Sequence, residues 1–316
     1  MMNKRIVFFG TPDFAVASLD AIVAAGYDVA AVVTVPDSRS GRGMKVAYSP
    51  VKDYALAHQL PLLQPEKLRD PLFLQQLAQY QADVFVVVAF RMLPQLVWAM
   101  PPLGTFNLHA SLLPLYRGAA PINWAIINGE KETGVTTFLL NDRIDEGHLL
   151  LQQSTPISDD DNAETLHDRL AAMGRDLVVK TLDGLFSHSL HPQAQPHVDT
   201  LKPAPKIFKP DCLIPWHRSG IEICNFIRGL SPYPAAVARF VNAKGQEVSL
   251  KIFNSSFEKC DNSYIGAILT NLKNELKIGV NDGFVRILSV QMSGKKKITV
   301  DEFLRGYNVT DWKLII

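Results

Sequence analysis

The run VFVVVA at residues 84–89 restricts the fold of this chain more than any other stretch. It is made of Val, Phe and Ala without a polar residue, so it has no face for water. A strand buried on both faces sits in the middle of a parallel sheet covered by helices. The start of the chain points the same way. Residues 4–10 read as a buried strand, 14–25 as an amphipathic helix opened by Pro12 and Asp13, and 28–35 as a second strand. The turn of this βαβ unit, FFGTPDF, lacks the glycines of a dinucleotide fingerprint, which argues against NAD.

Residues 105–126, TFNLHASLLPLYRGAAPINWAI, open as a strand and close as a helix. Side chains alternate along a strand, so Asn107 and His109 share one face while Phe106 and Leu108 point into the other layer. Pro114 and the Arg117–Gly118–Ala119–Ala120–Pro121 run mark a tight loop, and Pro121 suits the first turn of a helix through Asn128. Open α/β sheets place ligands at such a strand end.

The remaining segments complete two domains, as 316 residues allow. Helices are predicted at 50–58, 70–80 and 162–186, and strands at 60–63, 134–140 and 149–153, with Asp145 in the polar turn NDRIDEG. Pro192, Pro196, Pro203, Pro205 and Pro210 crowd a stiff linker. Beyond a helix at 219–228 come short strands at 236–241, 248–253, 265–270, 275–280 and 284–290, the last pair joined by Asn281–Asp282–Gly283. The expectation is an α/β, Rossmann-like, mostly parallel sheet with helices on both faces over residues 1–189. A linker over 190–210 and a small all-β, OB-like barrel over 211–316 follow.

Hydrophobic residues at 47% and charged residues at 20% are ordinary for a globular chain. No apolar run approaches the roughly 20 residues of a membrane helix, and MMNKRIVFFG reads as a first strand rather than a signal. Cys212, Cys224 and Cys260 have no metal-ligand spacing, so reduced thiols, a cytoplasmic location and no metal are expected. The net charge of +1 is uneven: residues 1–205 carry 16 Lys and Arg against 21 Asp and Glu, residues 206–316 carry 16 against 10. A basic second half can attract a polyanion such as RNA. In PDSRSGRGMKVAYSP, Arg39, Arg42 and Lys45 alternate with Gly and Ser, which describes either a flexible connection or a mobile basic loop able to follow a phosphate backbone.

By spacing alone, Asn107, His109 and Asp145 are equally three unrelated polar residues or a catalytic set. As a set, the amide and an imidazolium stabilise an oxyanion, while the carboxylate orients His109 and takes a proton from an attacking amine. No Ser or Cys nucleophile with its own base stands nearby, which favours direct transfer over a covalent intermediate. Ser111 contacts ligand or caps the turn.

FNLHASLLPLYRGAAPINWAI followed by DRIDEG resembles the formyltransferases that use 10-formyltetrahydrofolate. GTPDFA (10–15), GRG (41–43), SPVK (49–52), RGAAPI (117–122) and IRGLSPYP (227–234) resemble the methionyl-tRNA formyltransferase branch of that family, nearly end to end. The resemblance implies formyl transfer to the amino group of methionine on initiator tRNA. Asn107, His109 and Asp145 would be catalytic, and Ser111, Leu112, Leu113 and Pro114 the folate-binding motif. Arg39, Arg42, Lys45, Lys206 and Lys209 would contact tRNA. The segment Phe90–Arg91–Met92–Leu93–Pro94 departs from the family pattern and would border the pterin. A monomer is expected. The rival readings are a folate-dependent enzyme acting on a small amine, such as a ribonucleotide or amino sugar nucleotide, a hydrolase of the same folate, and an RNA-binding protein without activity.

Overall fold

A computed structural model describes residues 4–40 and 45–316, with the backbone alone at residues 39, 40, 45 and 46. The chain packs as two compact units: Met1–Gly118, Glu132–Thr155 and His167–Pro203 form the first, and Ala119–Lys131, Pro156–Leu166 and Ala204–Ile316 the second.

The strands of the first unit are β1 (Arg5–Gly10), β2 (Asp28–Val33), β3 (Ser38–Ser40), β4 (Lys45–Ala47), β5 (Leu62–Leu63), β6 (Val84–Val88), β7 (Thr105–His109), β8 (Glu132–Leu139) and β9 (Leu149–Pro156). Its helices are α1 (Asp13–Ala24), α2 (Pro50–Ala57), α3 (Pro71–Gln79) and α4 (Gln95–Trp98); α5 (Pro121–Ile127) belongs to the second unit, and α6 (Ala163–Phe186) returns to the first after one turn. The main sheet runs β5–β2–β1–β6–β7–β8–β9. β6 is central and parallel to both β1 and β7, as its apolar run requires, whereas β8 is antiparallel to β7. The sheet is thus mostly parallel and Rossmann-like.

Helices cover both faces. Val7, Phe9, Phe85 and Val87 pack on one side with Phe73 and Leu77 of α3 and Val97 of α4. On the other, α6 presses against β7 so closely that a Cβ at Gly174 would lie 2.6 Å from Leu108 Cδ2. Side-chain caps begin α2, where Ser49 accepts from the Lys52 N–H, and α3, where Asp70 accepts from the Leu72 N–H.

Within residues 36–50, read from composition as a loop, β3 and β4 pair as an antiparallel ladder, with Ser38 opposite Ala47 and Ser40 opposite Lys45. Its base is pinned by the buried Lys52, whose Nζ lies 2.7 Å from both carboxylate oxygens of Asp37. Gln64 adds a bond to Asp37 Oδ1 at 2.8 Å, and the amide and ammonium together hold this carboxyl below its usual range. Gly41, Arg42 and Gly43 lie outside the described residues.

The second unit adds α7 (Gly220–Leu230), β10 (Ala236–Val241), β11 (Glu247–Lys259), β12 (Ile268–Thr270), β13 (Leu276–Val280), β14 (Gly283–Met292), β15 (Ile298–Thr299), α8 (Val300–Gly306) and β16 (Lys313–Ile315). Its antiparallel sheet runs β12–β13–β14–β11–β10–β16 around Trp216, Phe303 and Ile252. The edges approach one another, since a Cβ at Gly266, just before β12, would lie 3.1 Å from Ile316 Cδ1, just beyond β16. The result is a nearly closed small barrel. β11 extends well past its apolar core because its register shifts around Asn254. Such a bulge bends one strand so that it can serve two neighbours. Asn281 and Asp282 make the expected tight turn, with Val280 opposite Gly283.

Helix α5, which follows from the RGAAPI sequence, and helix α7, which ends within IRGLSPYP, pack together in this unit. Asn123 Nδ2 donates to the Gly229 carbonyl at 2.7 Å, and a Cβ at Gly229 would meet Ile127 Cγ1 at 2.7 Å and the Asn123 carbonyl at 3.1 Å. Gly-to-Ala in a helix ordinarily gains about 1 kcal/mol. Here overpacking, at about 1–3 kcal/mol, outweighs that gain. Gly229→Ala is expected to lower the urea midpoint of the full chain; a raised midpoint would show the helices separate freely.

Candidate active site

Strand β7 delivers Asn107 and His109 on one face, as the alternation demands. The His109 ring is 7% exposed, and its Nε2 lies 2.8 Å from the carbonyl oxygen of Tyr116. A carbonyl only accepts, so Nε2 carries hydrogen and Nδ1 is the nitrogen left to the site. Asp145 Oδ2 lies 3.9 Å from Nδ1. That is too long for a hydrogen bond but within ion-pair reach once Nδ1 is protonated. The same carboxylate oxygen accepts the Gly118 N–H at 2.9 Å, which holds it in place.

Asn107 is partly buried, and its Oδ1 is inaccessible with no hydrogen-bond partner. An unpaired buried polar atom costs about 1–3 kcal/mol. Turning the amide about its terminal bond presents Nδ2–H in place of the oxygen, so this position can meet either an acceptor or a donor on a ligand.

The surrounding loops carry left-handed backbone at residues other than glycine: Ala89 at φ 47° just past β6, Tyr116 at 60° and Asp145 at 54°. Such positions cost about 1–3 kcal/mol each and gather at functional sites. Asp tolerates this region best, since its short side chain bonds locally. Gly147 closes the Asp145 turn, because a Cβ there would fall 1.6 Å from the Leu139 carbonyl oxygen.

The Ser111–Leu112–Leu113–Pro114 turn is satisfied from within. Ser111 is fully buried and its Oγ donates to the Leu115 carbonyl at 2.7 Å, so this hydroxyl caps the turn. Thr136 Oγ1 donates to the Ser111 carbonyl at 2.6 Å, and Gln152 Nε2 donates to the Leu113 carbonyl at 2.9 Å. Leu112 packs over Gly134, and the Leu113–Pro114 peptide is cis. In the segment after β6, the Arg91 guanidinium donates to the carbonyls of Pro65 at 2.8 Å and Glu66 at 3.1 Å and rests against the Phe90 ring. Burial pulls its pKa below the ordinary arginine value.

Asn107, His109 and Asp145 therefore stand around one strand end of the first unit. Arg39 and Lys45 lie on the β3–β4 hairpin, while Lys206 and Lys209 are exposed residues of the second unit. Tyr116, which anchors His109, and Gln195, which bonds to the Asp145 turn, escaped the reading of the sequence; neither residue type nor spacing marks them. Among the described residues no cluster of His, Cys, Asp or Glu is arranged to hold a metal, and the three cysteines are free.

Residues 4–182 match the formyl transferase family and residues 206–308 the formyl transferase C-terminal domain. The chain belongs to the formyltransferase family. Its curated relatives include the methionyl-tRNA formyltransferase of Bacteroides fragilis, 54% identical over 98% of this chain and 97% of that protein. Those of Bacteroides thetaiotaomicron and Flavobacterium johnsoniae are 52% and 49% identical, each over 98% of this chain and 97% and 98% of their own length. Among solved structures, an N-formyltransferase from Helicobacter canadensis, crystallised with folinic acid and dTDP-3-aminofucose, shares the fold. Its TM-score is 0.67 at 20% identity, over 93% of this chain and 99% of that one.

Because Gly147 sets the path of the Asp145 turn, Gly147→Ala is expected to displace the carboxylate. A shift of about 1 Å costs about 100-fold in rate. Steady-state kinetics of the folded variant with unchanged turnover would sever the turn from the chemistry.

Proposed function

We propose that this protein transfers the formyl group of 10-formyltetrahydrofolate to the amino group of methionine on initiator methionyl-tRNA. The observation that carries this is identity of about one half to curated methionyl-tRNA formyltransferases along the whole chain, through both units. A small amine acceptor, the principal rival, leaves the basic stretch at residues 39–45 without a task.

In the reaction, the methionyl amine attacks the formyl carbon. The carbonyl oxygen becomes an oxyanion, which Asn107 and the Nδ1–H of His109 stabilise as hydrogen-bond donors. The unpartnered Oδ1 of Asn107 supports this role, because no bond within the protein holds that oxygen and the amide is free to turn its Nδ2–H toward the oxyanion. Asp145 lies beside Nδ1, orients the imidazolium and accepts the amine proton, directly or through water. As the carbon–N10 bond breaks, the proton passes to the departing nitrogen, giving tetrahydrofolate and formylmethionyl-tRNA. The turn at Ser111, Leu112, Leu113 and Pro114 is assigned to the folate through its backbone and outer surface, since its side chains are turned inward or used as caps. Folate and tRNA are substrates; the chemistry calls for no metal.

Arg39, Arg42, Lys45, Lys206 and Lys209 are assigned to tRNA, Arg39 and Lys45 from β3 and β4, the last two from exposed positions. Lys206 Nζ lies 5.4 Å from the Phe208 ring, a cation beside an exposed aromatic surface on which a base can stack. The division into a catalytic domain over 1–189, a linker over 190–210 and a tRNA-binding domain over 211–316 goes with this proposal, as do a monomer and a cytoplasmic location. No described helix is long and apolar enough to cross a membrane.

Single-turnover transfer of labelled formyl to initiator methionyl-tRNA, but neither to elongator methionyl-tRNA nor to free methionine, is expected. Transfer to small amines instead would overturn the acceptor. Asn tolerates the left-handed backbone as Asp does, so Asp145→Asn tests charge alone; turnover should fall by about 10²–10⁴. Near wild-type turnover in the same assay would remove Asp145 from the mechanism. Arg42→Ala is expected to weaken tRNA use and, if a phosphate contact is lost, flatten the salt dependence by a log–log slope of about 1. An unchanged salt titration would exclude that contact.

A further inference from the structure

The proline-rich stretch after α6 does more than connect. We infer that residues 193–202 form a strap that positions the catalytic groups, and that Gln195 is its principal positioning residue. The inference rests on the assignment of His109 and Asp145 above.

The strap is fastened by backbone bonds at both ends. Leu149 and Gln193 exchange hydrogen bonds of 2.7 and 2.9 Å, which ties the strap to the start of β9. At the far end the Tyr116 N–H donates to the Lys202 carbonyl at 2.6 Å. Tyr116 is the left-handed residue whose own carbonyl receives His109 Nε2–H. The strap therefore holds the residue that holds the imidazole.

Gln195 reaches the other catalytic group. It is partly buried, although residues 191–194, 196 and 197 are exposed. Its Nε2 donates to the carbonyls of Asp145 at 2.7 Å and Gly147 at 2.9 Å, while its Oε1 accepts from Arg117 Nη2 at 2.6 Å and Nε at 3.2 Å. Both N–H groups and both lone pairs are in use. The partners also settle the amide's orientation, since carbonyls require the NH₂ and a guanidinium requires the oxygen. Arg117 Nη1 pairs with Glu146 Oε1 at 3.1 Å, so Gln195 and Arg117 grip the 145–147 turn by its backbone and by a side chain. That turn is irregular and left-handed at Asp145, and it has no sheet ladder to hold it. Gln195 bonds to the Asp145 backbone, not to its carboxylate, so it acts through geometry.

Two variants separate the parts of this grip. Gln195→Ala removes all four bonds. Gln195→Glu keeps an acceptor for Arg117 but sets a carboxylate against two carbonyls. Formyl transfer by the full-length protein is measured with 10-formyltetrahydrofolate and methionyl-tRNA, with rates expressed per folate-binding site so that unfolded protein does not enter. Both variants are expected to lose about 10- to 100-fold in kcat, with either KM changed less than about twofold. Wild-type kcat in Gln195→Glu, or a loss confined to KM, would overturn the inference. His109→Asn is the control. If it is inactive while both Gln195 variants turn over normally, the strap alone is wrong; if it stays active, the assignment of the site itself falls.

Discussion

Everything at the proposed catalytic centre depends on the pairing of β7 within the sheet. Phe106 is fully buried and Leu108 meets Gly174 of α6, so this apolar pair commits one face of the strand to the core. Asn107 and His109 must then emerge on the other face. A slip of one residue would bury the imidazole and the amide in the apolar layer and turn two large side chains into the site. Pairing of Val86 with Phe106 and Val87 with Asn107 on one side, and of Asn107 with Phe138 on the other, forbids that slip. The hydrophobic effect thereby aims polar chemistry.

A strand can aim two groups but cannot bring a third from elsewhere. Asp145 arrives on a turn that no ladder supports, and its neighbours supply the support. Gly118 bonds its carboxylate, Gln195 its backbone, and Gly147 lets the turn pass against the Leu139 carbonyl. The backbone strain at Tyr116 and Asp145 is sustained because each lies inside a set of bonds that leaves no relaxed alternative. The Asn107 side chain is the complementary case, its buried Oδ1 left without a hydrogen-bond partner at the strand end.

Much of this was legible in the residues. The run at β6 implied a parallel centre, and the alternation in TFNLH put Asn107 and His109 together. Close strand spacing after residue 235 implied a small barrel. Other features were hidden for identifiable reasons. Ser, Gly and Arg in residues 36–50 look like a loop, because a hairpin of three-residue strands has too few positions to show a period. The polar Asn254–Ser255–Ser256 run disguised the second half of β11, where a bulge sets ladder pairing against side-chain pattern. Helix α5 reads as the natural sequel to β7, yet it packs with α7, since Gly229 lets two helix backbones approach.

The sequence by itself determined which elements form, which strand face is polar and which residue types stand at the strand ends. Periodicity and turn chemistry are local, and they act over a few residues. Only the tertiary structure decided which nitrogen of His109 is left to the site, that Ser111 is a cap, and that a glutamine in a proline-rich stretch grips the Asp145 turn. The last of these hangs on bonds between residues 50 and 78 positions apart, Gln195 to Asp145 and Arg117 to Gln195. Such partners are chosen by where packed elements bring the chain together, and no local pattern records that choice.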